Sequence, residues 1–196
     1  MPVPSSSLAL EIIRAFTADA HRALESTLEI GRPDAGEPAY LRYLEALWGW
    51  LDPLESALWA AHWPESIAAT TRSGKTRWIE ADLRARGRNA DSIARLPRQL
   101  ALPPLDGAAQ RFGVAYVVEG AQLGGQYLLR RLAPRLAPLP ARWLEGYGSD
   151  TARHWRSFVV ALGAQLQSHG EAEAAAHSAR STFELAHAWF AMRGVV

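Results

Sequence analysis

The chain has 196 residues, 48% hydrophobic and 21% charged, a balance that fits one packed globular domain and excludes a disordered chain. Its 21 Lys and Arg against 20 Asp and Glu leave a net charge of +1, so no global field draws it to nucleic acid or anionic lipid. It has no cysteine, which removes disulfides, thiolate metal sites, iron–sulfur clusters and cysteine nucleophiles together.

The opening residues, MPVPSSS, show neither the positive stretch nor the apolar stretch of a secretory signal. Nowhere does an apolar run approach the roughly 20 residues that a membrane-spanning helix needs, and a soluble cytoplasmic protein is expected. Ser5, Ser6 and Ser7 can cap a first helix, in which Leu8, Ile12, Phe16, Ala20 and Leu24 recur as one apolar stripe. A break rich in glycine and proline runs from Gly31 to Pro38. The spacing then predicts a helix over 38–63, with Tyr40, Leu44, Leu47, Leu51, Leu54, Leu58 and Trp59 as its apolar positions and Pro64 closing it. Pro53 inside it should kink or divide it.

A shorter helix is expected over 76–86, stopped by Gly87, and Pro97, Pro103 and Pro104 mark a surface linker. Helices are predicted again over 106–132, ending before Pro134, over 150–169 and over 171–192. No stretch alternates with period two for long enough to argue a sheet. The expected architecture is all-α, with about six to eight helices by the usual length of a helix. A single domain over 1–196 is expected, with 1–7 and 194–196 as flexible tails.

Two features go beyond a plain helical bundle. Gly120, Gly124 and Gly125 fall inside one predicted helix, where each costs about 1 kcal/mol relative to alanine. Close approach of another body to the main chain would offset that cost. The body is either a neighbouring helix packing through small residues or a flat ligand lying on the helix, with room for a kink at Gly124-Gly125. The second feature is His21 with Glu25 one turn later. The carboxylate can hold one imidazole nitrogen and leave the other for a metal, although the same spacing also makes ordinary surface pairs. A di-iron site would need a further carboxylate–histidine set, and His62, His154, His169, His177 and His187 show no Glu-x-x-His pattern. One histidine ligand and a glycine-faced helix suit a planar macrocycle with a single axial ligand. The eight tryptophans read mainly as core, with Trp155 and Trp189 as candidates to border such a ligand.

These two segments resemble the proximal and distal helices of haem oxygenases. Thr17-x-x-x-His21-x-x-x-Glu25 is similar to the proximal signature, whose histidine is the axial iron ligand. Tyr116-Val-Val-Glu119-Gly120-Ala-Gln-Leu123-Gly124-Gly125 is similar to the distal signature of the bacterial branch that includes the enzymes encoded beside bacterial phytochromes. Tyr147-Gly148, Trp155 and Phe158 resemble a Tyr-Gly…Trp-x-x-Phe pattern of that branch, and the resemblance extends from about Leu8 to Phe190.

The resemblance implies a haem oxygenase-like bundle with haem between the His21 helix and a kinked helix whose Gly120, Gly124 and Gly125 form the catalytic face. It implies oxidative opening of haem, at once cofactor and substrate, to biliverdin, Fe2+ and carbon monoxide by O2 and external electrons. The implied partners are a ferredoxin or a flavoprotein reductase as electron donor and a bacterial phytochrome as product acceptor; a monomer is expected. His21 is the implied metal ligand, with Glu25 and Ala121 beside the haem. Arg14 and Tyr116 are the implied propionate contacts, and Arg153 and Arg156 are further basic contacts. One position departs from the mammalian-type pattern: the aspartate that follows the first distal glycine there is Ala121 here, which has no side-chain donor or acceptor. Gln122 and Glu119 are the nearby candidates to supply polarity instead. The alternative is therefore a haem-binding carrier, sensor or pseudoenzyme of the same fold with little or no turnover. Thiaminase-type enzymes of similar fold use a cysteine nucleophile, which this chain lacks.

Overall fold

The computed structural model describes residues 7–196. Nine α-helices are found among them: Leu8–Thr27 (α1), Glu37–Trp59 (α2), Ala69–Arg72 (α3), Thr76–Ala85 (α4), Ala90–Ala94 (α5), Ala108–Leu136 (α6), Arg142–Glu145 (α7), Thr151–Gln165 (α8) and His169–Met192 (α9). No strand occurs among the described residues, and the fold is all-α as expected. The short helices α3, α5 and α7 have no counterpart among the expected ones, because four or five residues carry no periodic signal.

Ser5, Ser6 and the rest of the expected N-terminal tail up to residue 6 lie outside the described residues. Ser7 caps α1, its hydroxyl accepting from the Leu10 N–H at 3.4 Å. The buried face of α1 is not the expected stripe. Residues four apart drift by about 40° per step around a helix of 3.6 residues per turn. Leu8 and Phe16 are consequently exposed, while Leu10, Ile13, Thr17 and Leu24 turn inward.

Helix α2 begins with Pro38 in its first turn and passes undivided through Pro53, ending at Trp59. Pro53 has no N–H for the carbonyl one turn back, that of Gly49. That carbonyl accepts instead from the Gln99 N–H at 3.0 Å, so the 97–104 linker satisfies it. Gly49 also makes room: a Cβ there would lie 2.2 Å from the Pro97 carbonyl oxygen. Helix α6 likewise continues past Pro134 to Leu136. The helix expected over 150–169 ends earlier, at Gln165, and α9 starts with a capping box. Ser168 Oγ accepts from the Glu171 N–H at 3.2 Å, and the Glu171 carboxylate accepts from the Ser168 N–H at 2.9 Å.

Both α1 and α6 pack along α9 and make few contacts with each other. Gly113 lets α6 close on α9, since a Cβ there would fall 2.0 Å from the Ala175 carbonyl oxygen. Residues 194–196, expected as a tail, turn back onto the body. Val195 is buried, and its carbonyl accepts from the Glu29 N–H at 2.9 Å just after α1.

Candidate functional site

Where α1 and α6 stand apart, a cavity of about 660 Å³ opens, floored by α9 and closed by side chains of α2, α7 and α8. Its volume falls within the ~300–1,000 Å³ of small-molecule and cofactor sites.

From α1 come Arg14, His21, Leu24 and Glu25, with Leu28 just after it. The 3.6-residue repeat puts His21 on the same face as the inward-turned Leu10, Thr17 and Leu24. It is half-exposed only because that face opens into the cavity; the side chain keeps 50% of its exposure. Its Nε2 lies 3.2 Å from Glu25 Oε1, and its ring centroid lies 5.1 Å from that of Phe183 on α9.

From α6 come Tyr116, Gly120, Ala121, Gly124, Gly125 and Arg131, among others. The glycines of this helix divide into two kinds. A Cβ on Gly124 would meet nothing within 4 Å, and one on Gly120 would meet only the Trp155 ring, at 3.8 Å. These two leave bare main chain facing the cavity. A Cβ on Gly125 would sit 3.3 Å from the Leu144 carbonyl oxygen, so Gly125 serves the packing of α7 although it borders the cavity. Helix packing and open space for a ligand thus both account for glycines here, at different positions.

Tyr116 faces the cavity beside Trp155, with ring centroids 5.6 Å apart. Burial pushes its phenol up, while Thr17 and the Arg14 cation pull the other way. Tyr43, deeper on α2, is pushed up to about 12 by burial. Arg14 and Arg131 bring two guanidinium groups to the cavity, the latter donating to the Gly31 carbonyl at 3.1 Å.

Arg153 and Arg156 do not line the cavity: Arg153 is exposed and paired with Asp150 at 2.9 Å, and Arg156 is exposed on the same helix. The cation that sequence reasoning missed is Arg131. It lies on the face of Gly120 and Gly124 by the helical repeat, so the signal is present. Tyr43, Trp50, Trp143, Phe183 and Phe190 were also missed as lining, since no local pattern separates a cavity wall from a core. Trp155 borders the cavity, whereas Trp189 is core, its Nε1 donating to the Ala46 carbonyl at 2.7 Å.

Neither Glu119 nor Gln122 supplies polarity beside Ala121. Glu119 is buried behind α6, held by Arg72, Lys75 and Tyr147. Gln122 is buried under Gly146, and neither atom of its amide has a partner among the protein groups. Both sit on the part of the helix turned away from Gly120 and Gly124. Tyr147 stacks on His154 with centroids 3.9 Å apart, and Phe158 is core. Among the described residues no group of three His, Asp or Glu is placed to share a metal ion; the cavity's imidazole and carboxylate are His21 and Glu25, which pair with each other.

Comparison with known proteins gives two likenesses. The family model described as heme oxygenase matches residues 7–192. A heme oxygenase of Xanthomonas campestris pv. campestris (strain 8004) is 34% identical over 111 residues, which cover 56% of this chain and 62% of that relative. The matched stretch therefore spans less than two thirds of the relative.

Proposed function

The chain belongs to the haem oxygenase family, and on that premise we propose that it binds one haem through His21 and opens it to biliverdin, Fe2+ and carbon monoxide with O2 and external electrons. One observation carries the reading: the His21 imidazole on α1 and the bare main chain of Gly120 and Gly124 on α6 line the same cavity of about 660 Å³. A flat ring with a central metal and acidic groups at its edge fits this lining of one imidazole with its Glu25 partner, four glycines, two arginines and several aromatics. Bound haem supplies the iron that activates O2 and is itself the molecule opened.

The chain's own groups have separable tasks. His21 offers an imidazole nitrogen as ligand, and Glu25 orients the ring through the other nitrogen. Gly120 and Gly124 would leave bare main chain against the bound group and keep water from it there. Arg14 and Tyr116 engage the haem carboxylates, with Arg131 as a third donor. Electrons come from a ferredoxin or a flavoprotein reductase, and a bacterial phytochrome is the product acceptor suggested by the phytochrome-associated branch. No helix among the described residues is long and apolar enough to cross a membrane. A monomer acting in the cytoplasm completes the reading.

A second reading, a haem carrier or sensor with little turnover, is favoured by one observation. Between Gly120 and Gly124 the cavity wall carries only Ala121 and Leu123, because Gln122 is turned away. The deciding experiment adds haem to the purified protein, records the visible spectrum, then supplies a reductant in air. Decay of the Soret band into a biliverdin spectrum supports the enzyme, and His21→Ala should lose the normal axial ligation. A stable complex that only changes oxidation state supports the carrier. No specific complex at all would sink both.

A further inference from the structure

Helix α6 must present one face, that of Gly120 and Gly124, to the cavity, yet its apolar surface does not choose that setting. Phe112, Gly113, Val114, Ala115, Val117 and Val118 are all buried, and at about 100° per residue they encircle the axis. The cavity face holds no side chain at the glycines to lock it. Close approach to α9 at Gly113 and to α7 at Gly125 restricts the helix sterically, and the buried charged contacts lie behind it. The Glu119 carboxylate accepts from Arg72 Nη1 at 2.5 Å, from Lys75 Nζ at 2.7 Å and from the Tyr147 hydroxyl at 3.0 Å. The carboxylate and both cations are nearly inaccessible, with side chains 1–2% exposed.

This cluster is tied into three other segments. Arg72 also donates to the Ile67 carbonyl at 2.7 Å, the His154 carbonyl at 3.1 Å and Ser157 Oγ at 2.9 Å. Lys75, the one lysine in the sequence, donates from Nζ to the Arg72 carbonyl, and its N–H donates to Glu55 on α2 at 2.8 Å. Turning α6 by one residue would carry the carboxylate away from two buried cations whose other partners cannot follow it. An uncompensated buried charge is among the most costly faults a fold can carry.

We propose that Glu119 is a positioning residue: its buried carboxylate, gripped by Arg72, Lys75 and Tyr147, fixes the rotational setting of α6 that turns Gly120 and Gly124 toward the cavity. The proposal rests on the haem reading for why that face matters, but its geometry can be tested without haem. Because the chain has no cysteine, a single thiol can report each face. Gly124→Cys places it on the cavity side, where a Cβ meets open space, and Gln122→Cys places it on the buried back.

The experiment compares the labelling rates of these two thiols by a small disulfide reagent, with and without Glu119→Gln, in samples shown to be folded by circular dichroism. In the parent the thiol at 124 reacts much faster than the thiol at 122. Glu119→Gln should narrow that ratio on the order of tenfold or more, as expected when two buried cations lose their counter-charge. Leu10→Ala, a core change on α1, should alter it by less than about threefold, since it loosens the fold without freeing α6 in particular. An unchanged ratio in folded Glu119→Gln, or equal narrowing by Leu10→Ala, would overturn the proposal. Should Glu119→Gln not fold, Tyr147→Phe removes one neutral donor and leaves both cations; it should narrow the ratio in the same direction, and no change there would overturn the proposal as well. Failure of the parent to bind haem would count against the function alone, since the ratio is read on the unliganded chain.

Discussion

A methyl group added at Gly113 or at Gly124 meets opposite surroundings in the same helix. At Gly113 it would sit 2.0 Å from the Ala175 carbonyl oxygen, so Gly113→Ala must push α6 off α9 and cost about 1–3 kcal/mol as overpacking. At Gly124 nothing lies within 4 Å, and Gly124→Ala should gain up to ~1 kcal/mol from helix propensity. Urea unfolding of the unliganded variants reads the two signs. A haem titration then separates them further, for the Gly124→Ala methyl occupies the cavity face and should weaken the complex that its helix is more stable without. Equal destabilisation by both would mean that Gly124 is a packing glycine and that the bare face has no role. The glycine run and the His21–Glu25 pair are legible in the sequence because their signal is local: glycines set against helical spacing, and a carboxylate one turn from an imidazole. Arg153 and Arg156 are misplaced by sequence reasoning because the phase of α8 against the cavity depends on packing, which spacing within one helix does not reveal. Arg131 could have been found from its shared face with Gly120. The turning away of Glu119 and Gln122 could not, since the Arg72 and Lys75 that hold Glu119 and the Gly146 that covers Gln122 are distant in sequence.

Helix boundaries follow the same division between local and distant causes. The long helices α1, α2, α4, α6 and α9 announce themselves by apolar spacing and by punctuation such as Pro38 and Gly87. Pro53 is expected to kink or divide α2; the division fails because the carbonyl it frees is taken by Gln99, fifty residues away in a linker with no pattern of its own. The start of α9 is a local device and carries a pH signature. The Ser168 N–H, and then the Ser168 hydroxyl, hold the Glu171 carboxyl below its ordinary value of 4.5. A depressed folded-state value means that the stabilisation is present above the unfolded value and is lost as pH falls through the folded one. Wild type should therefore unfold at a higher temperature than Glu171→Gln near neutrality, and the gap should close on acidification below about 4.5. Thermal melts followed by circular dichroism across that range measure it. A gap that persists at low pH would show that the box acts through geometry rather than through charge.

At the scale of the whole molecule, the fold keeps α1 and α6 apart and lets α9 hold both. Apolar side chains such as Leu24, Leu47 and Phe190 line the gap. A ligand that fills the gap contacts those side chains and binds only the folded chain, so binding and stability are linked by mass action. Haem at about a hundredfold over its dissociation constant should raise the unfolding free energy by about 2.7 kcal/mol, growing logarithmically with concentration. The increment should shrink in His21→Ala if the imidazole is the iron ligand as proposed, since the change leaves the rest of the cavity walls in place. Denaturant curves at several haem concentrations give both slopes. The backfolded C-terminus belongs to the same frame, because Val195 holds the Glu29 N–H next to Leu28, Ile30 and Gly31 on the cavity wall. A midpoint indifferent to haem in the wild-type chain would detach the cavity from haem altogether. A rise that survives His21→Ala undiminished would mean that the walls, rather than the imidazole, account for the affinity.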